Sequence, residues 1–194
     1  MYALAEYLTR CLISNHIVGK EQEEEYVYGF QILFGKLLSY TTLILLSVYY
    51  GVLIPGLIFM GVFFSLRGRT GGYHAKTSLR CYLVTVASYL LVVQIGSSVL
   101  IEREYISVII SIVSVITVFV FAPVNHPNLM LDGQEIQVCR QSSRWLVSMV
   151  AGCIWIAYAL PIRTICIAYA VMGLGLDALT ILMAKITGQE VKEE

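Results

Sequence analysis

Six apolar runs, roughly 28–48, 51–66, 80–100, 105–121, 145–162 and 165–184, follow one another along the chain with short polar segments between them. About 20 apolar residues carry an α-helix across a hydrocarbon layer ~30 Å thick. The pattern predicts an all-α membrane protein with six transmembrane helices, several of them short or closely joined. Ahead of the first run, Leu4, Leu8, Cys11 and Leu12 recur at helical spacing beside Glu6 and Arg10. That stripe predicts an N-terminal amphipathic helix on the membrane surface, within a cytoplasmic segment 1–24. The start of the chain is too polar for a secretory signal and lacks a small-residue cleavage site.

Composition agrees with this reading. Hydrophobic residues form 58% of the chain and charged residues 13%, against roughly 45–50% and about 25% in soluble domains. No repeat or low-complexity tract divides residues 1–194, which read as a single integral-membrane domain in contact with a lipid bilayer. The formal net charge is zero, with acidic residues gathered at 21–25, at Glu102 and Glu104, and at the C-terminus. Nucleic acid is therefore not an expected partner.

The basic residues are distributed unevenly. On alternate loops, one side receives Arg10, Lys20, Arg67, Arg69, Lys76, Arg80, Arg140, Arg144, Lys185 and Lys192, whereas the other receives Arg103 and Arg163. The positive-inside bias then places both termini and two loops, 67–80 and 122–144, in the cytoplasm. The outer loops are short, so function is expected on the cytoplasmic face.

Cys11, Cys81, Cys139, Cys153 and Cys166 show no CxxC spacing, and no paired His and Cys residues mark a zinc site. Disulfides, metals and organic cofactors are not expected. Cys153 and Cys166 lie inside apolar runs and read as buried small side chains.

Candidate chemistry concentrates at 67–81, a basic, glycine-rich break holding His74 and Cys81. On one straight helix these residues would share a face but stand some 10 Å apart along the axis. Contact within one chain requires a helix that begins after His74, with Thr77 or Ser78 as N-cap and Gly71-Gly72 turning the preceding chain. Cys81 then falls in the first helical turn. Unsatisfied amides, Lys76 and Arg80 there favour a thiolate, and an imidazole accepts its proton. The same residues also fit a polar loop histidine beside an ordinary packed cysteine. His126 and Cys139 form a rival pair without a known signature.

The string Arg67-x-x-x-Gly71-Gly72-Tyr73-His74-Ala75-Lys76-Thr77-x-x-x-Cys81, followed by Ala122-Pro123-Val124-Asn125-His126-Pro127-Asn128, resembles the accessory gene regulator B family of bacterial membrane peptidases. The resemblance implies a cysteine endopeptidase that removes the C-terminal tail of a short quorum-sensing precursor and promotes cyclisation of the remainder to a thiolactone. It implies His74 and Cys81 as the catalytic pair, a precursor with an acidic tail as substrate, and a homodimer in the bacterial cell membrane. Arg67, Arg69, Lys76 and Arg80 are candidates for holding that tail. They equally serve to set topology and to touch lipid phosphates. Gly71 and Gly72 are expected to shape the loop, and Asn125 and Gln134 are chemically able to orient His74.

Lys36 and Asp177 lie inside apolar runs. Each costs roughly 2.5–3.5 kcal/mol there on an insertion scale, which favours mutual pairing, snorkelling or a polar chamber. Those charges also motivate the rival class, a small multispan peptide transporter or channel. Gly173-x-Gly175 and Ser107-x-x-x-Ser111-x-x-Ser114 permit close helix approach within or between chains.

Overall fold

A computed structural model describes residues 2–73, 77–96, 100, 104–125, 132–160, 162 and 164–188. Among them the chain forms α1 (Tyr2–Ser14), a 3₁₀ turn (Lys20–Gln22), α2 (Glu23–Tyr49), α3 (Leu53–Thr70), and α4 (Ser78–Leu91), which runs on as a π turn (Val92–Gly96). There follow α5 (Glu104–Phe121), α6 (Gly133–Ala159) and α7 (Ile165–Ile186). Each expected apolar run coincides with one of α2 to α7.

Among the described residues, four stretches are long and apolar enough to cross a membrane: Lys20–Tyr49, Leu53–Thr70, Glu104–Phe121 and Ile165–Ile186. Of the six expected spans, these four meet that length and composition. The apolar stretch Leu79–Gln94, which takes in α4, is shorter. The first half of α6 is polar, exposing Gln134, Glu135, Gln137, Arg140 and Gln141.

That polar half occupies sequence expected to be loop. Helix begins at Gly133 because Asp132 and Glu135 form a capping box: the Glu135 amide donates to Asp132 Oδ1 at 2.7 Å, and the Asp132 amide to Glu135 Oε2 at 3.1 Å. Reciprocal satisfaction of end amides fixes a helix start even in a polar stretch. Arg144 anchors α6 to the end of α5, donating to the Phe119 carbonyl at 2.7 Å.

The bundle is built around α7, which packs against α3, α5 and α6. Small residues permit this. A Cβ on Gly173 would lie 3.1 Å from Val62 and 3.2 Å from the Phe59 carbonyl oxygen, and one on Gly175 would lie 2.9 Å from Ile110. The glycine pair thus serves contacts within the chain. The serine stripe of α5 is buried as well, and Trp155 of α6 donates to Ser111 Oγ at 2.8 Å. Leu66, Val118, Val124, Val147, Val171, Leu174 and Ile181 fill the core between these helices.

A second cluster of Leu43, Phe59, Met60, Phe63, Tyr89 and Tyr169 joins α2, α3, α4 and α7. Hydroxyl pairs bind α4 to α2: Thr42 Oγ1 with Tyr82 OH at 3.1 Å, and buried Ser47 Oγ with Tyr89 OH at 2.5 Å. Such contacts suit apolar surroundings, where polar side chains seek partners on neighbouring helices.

The N-terminal helix α1 packs on α2, with Ala5 and Thr9 buried. Tyr2, Leu4 and Tyr7 remain exposed. Arg10 pairs with Glu6 at 2.5 Å and approaches Glu23 of α2 at 3.9 Å.

Candidate active site

The end of α3 is built to reverse the chain. Gly71 and Gly72 take φ values of +70° and +103°, a region in which a side chain is strained. Space excludes one too: a Cβ on Gly71 would strike the Val124 carbonyl oxygen, and one on Gly72 would strike the Arg67 guanidinium and lie 3.0 Å from Thr180 Oγ1. Positive φ and lack of room for a Cβ coincide at both glycines.

Residues 71–73 then cross the end of α7 as a strap. The Tyr73 amide donates to the Thr180 carbonyl at 2.8 Å. Arg67 reaches back from the last turn of α3, giving Nη1 to the Gly71 carbonyl and to Thr180 Oγ1 (3.1 Å), and Nη2 to the Tyr73 carbonyl. Thr70 Oγ1 reaches the buried Asp177 Oδ1 at 2.9 Å, and the Thr70 carbonyl accepts from the Val124 amide at 2.8 Å. The two segments that carried the sequence motifs, 67–73 and 122–125, are therefore neighbours at one end of the bundle. Ala122, Pro123 and Val124 are buried and Asn125 is half-buried; the Ala122-Pro123 bond is cis.

Beyond the strap, α4 starts where sequence placed it. Thr77 is the N-cap, its Oγ1 accepting from the Arg80 amide at 3.3 Å. The Cys81 amide bonds the Thr77 carbonyl at 3.0 Å, so Cys81 sits in the first turn, half-buried, as a free thiol. The Arg67 guanidinium lies within Coulombic reach of both Cys81 and Asp177.

His74, Lys76 and His126 lie outside the described residues. Arg69 and Arg80 are exposed, with Arg69 Nη1 donating to the Ser65 carbonyl at 2.6 Å. Gln134 is exposed in the first turn of α6. Lys36 is exposed on α2, and Asp177 bonds Thr70 rather than Lys36, which removes the suggested pairing of those two charges. Cys153 is exposed and Cys166 half-buried, contrary to the expectation of burial, because each lies on the outward side of its helix. Thr70 and Thr180 were not singled out from sequence. The available signal was their company: Thr70 closes the basic turn of α3, and Thr180 stands three residues after an aspartate in an apolar run.

The profile described as accessory gene regulator B matches residues 5–183. No curated protein and no solved structure matches the chain. The match takes in α2 to α6, most of α1 and α7, and both motif segments that meet at the strap. On that evidence the chain belongs to the accessory gene regulator B family, whose role is the processing of an autoinducer peptide.

Proposed function

We propose that this protein is a membrane-embedded cysteine endopeptidase in which Cys81 is the nucleophile and His74 the general acid and base. One observation carries the reading: a hydrogen-bonded strap ends at Tyr73, immediately before His74, and Thr77 then caps the helix whose first turn holds Cys81. That order supplies a held approach to the base and a thiol at a helix N-terminus within a single short segment.

The reaction begins with transfer of the Cys81 proton to His74. The thiolate attacks the scissile carbonyl, and the imidazolium protonates the amine of the departing tail, leaving a thioester between peptide and Cys81. A cysteine within the bound peptide then attacks that thioester. Its proton passes through His74 to the departing Cys81 thiolate, closing a thiolactone ring. The exchange trades one thioester for another and is close to isoenergetic, whereas hydrolysis runs downhill. A site at the membrane boundary that limits water protects the intermediate.

Arg69, Lys76 and Arg80 are proposed to hold the acidic tail. The guanidinium of Arg67 is engaged within the chain, which favours a strap-holding role for it. The positive-inside bias supports a cytoplasmic site with cytoplasmic termini in a multi-pass bacterial membrane protein, and the family supports a homodimer. Mixed dimers carrying His74→Ala in one subunit and Cys81→Ala in the other would recover activity only if the pair acts in trans.

The test is reconstitution in liposomes with precursor peptides bearing a central cysteine and an acidic tail, read by peptide mass. The expected result is tail release with a body one water lighter than the linear fragment, lost in His74→Ala and in Cys81→Ala. Uncleaved peptide would count against the peptidase. Intact peptide crossing the bilayer irrespective of Cys81 would favour the transporter instead.

A further inference from the structure

Resting on the peptidase reading, we infer that Asp177 and Thr180 of α7 are positioning residues for the thiol chemistry, which fix Arg67 and the 70–73 backbone that directly precedes His74 in the chain. The two residues lie one helical turn apart, and the Asp177 side chain and the Thr180 backbone grip the strap at its two ends. Asp177 Oδ1 accepts from Thr70 at the start, at 2.9 Å. The Thr180 carbonyl accepts from the Tyr73 amide at the finish, at 2.8 Å. Between them Thr180 Oγ1 accepts from Arg67 Nη1 at 3.1 Å while donating its own proton to the Asp177 carbonyl at 2.8 Å. Asp177 Oδ1, Thr180 Oγ1 and the Thr180 carbonyl are thus all tied to Arg67, Thr70 or Tyr73.

Charge supports the same assignment. Asp177 is fully buried and, among the described residues, its Oδ2 has no hydrogen-bond partner. A buried carboxylate is costly without a compensating charge nearby. The Arg67 guanidinium, held on Thr180 Oγ1 one turn along α7, is the cation near it. Apolar contacts already join α7 to α3, as at Gly173 with Val62. The Asp177–Thr70 and Thr180–Arg67 contacts are additional to that packing, and they fall where the strap leaves the helix.

The full-length protein in liposomes provides the test, with Thr180→Val, Thr180→Ser, Asp177→Asn and, as a packing control, Ile181→Val. Two quantities are read: turnover of the precursor peptide, and the rate at which iodoacetamide modifies Cys81, followed by mass spectrometry of the Cys81 peptide. Thr180→Val and Asp177→Asn are expected to lower kcat on the order of 10- to 100-fold with KM within about twofold, because misplacement of a reacting group is felt in the chemical step. Alkylation of Cys81 slows with kcat, Thr180→Ser restores both, and Ile181→Val lowers thermal stability while leaving both in place. If Asp177→Asn fails to fold, the isosteric Thr180→Val and its serine counterpart decide alone. A folded Thr180→Val with unchanged kcat and unchanged Cys81 alkylation overturns the inference, as does a Thr180→Ser as slow as the valine variant. Absence of Cys81-dependent cleavage in the unsubstituted protein sinks the peptidase reading separately; the alkylation rates then decide the positioning role by themselves.

Discussion

The Val124 amide donates to the Thr70 carbonyl at 2.8 Å, joining the segment that follows α5 to the last residue of α3. This bond sets the two motif segments side by side. Removing the donor while keeping a small apolar residue separates the bond from the packing. Val124→Ala retains the amide and is expected to lose about 2 kcal/mol of stability through reduced burial, with activity largely kept. Val124→Pro removes the amide and is expected to lower peptidase turnover well below that of the alanine variant. Thermal unfolding together with peptide turnover distinguishes the two; equal activities would show that the bond does not serve the site.

Gly72 and Gly68 offer a contrast within one turn of chain. Gly72 has φ +103°, and a Cβ there meets Arg67 and Thr180, whereas a Cβ on Gly68 meets nothing within 4 Å. Gly72→Ala is expected to cost about 1–3 kcal/mol of backbone strain and to abolish most of the turnover. Gly68→Ala is expected to be neutral or stabilising by up to ~1 kcal/mol, as for glycine in a helix interior. A fully active Gly72→Ala would show that the strap tolerates rearrangement.

Removal of the α6 cap isolates a structural effect. Asp132→Ala breaks the capping box and is expected to lower stability by about 1 kcal/mol. The midpoint of thermal unfolding should fall while kcat holds. A large loss of kcat at unchanged stability would instead assign Asp132 to the site.

The buried Ser47–Tyr89 pair ties α4, the helix that carries Cys81, to α2. Tyr89→Phe and Ser47→Ala, singly and together, are expected to give a coupling of about 0.5–1.5 kcal/mol, in the range of hydrogen bonds between membrane helices. A coupling near zero would show that packing alone holds α4 there.

Arg69 and Arg80 are exposed near the turn that leads to Cys81. If they hold the acidic tail, Arg69→Gln with Arg80→Gln raises KM several-fold, roughly tenfold at most for exposed charges at low salt, and the penalty shrinks as salt screens the attraction. A penalty independent of ionic strength would point to a different role.

Much of the fold was legible because lipid-facing helices carry their signal locally. Each apolar run became a helix, and Thr77 was recognisable as a cap because its hydroxyl needs only an amide three residues ahead. Helix extent was less legible. The Asp132-x-x-Glu135 signal that starts α6 at Gly133 is hidden by the polar composition of 122–144. Exposure of Cys153 could not be read from an apolar run, since a helix in such a run has both inward and outward sides.

The sequence by itself determined the helical class, the membrane setting, the family and the residues able to do thiol chemistry, since composition, run length and motif spacing are properties of the chain. Only the tertiary structure decided what the charges and glycines near the site do. Arg67 holds the Gly71 and Tyr73 carbonyls, Asp177 pairs with Thr70 rather than Lys36, and 122–125 docks on the end of α3. These partners belong to different helices, and a hydrogen bond reaches only about 3 Å. Chain positions far apart are therefore paired by the packing of α3, α5 and α7, a geometry that no local pattern encodes.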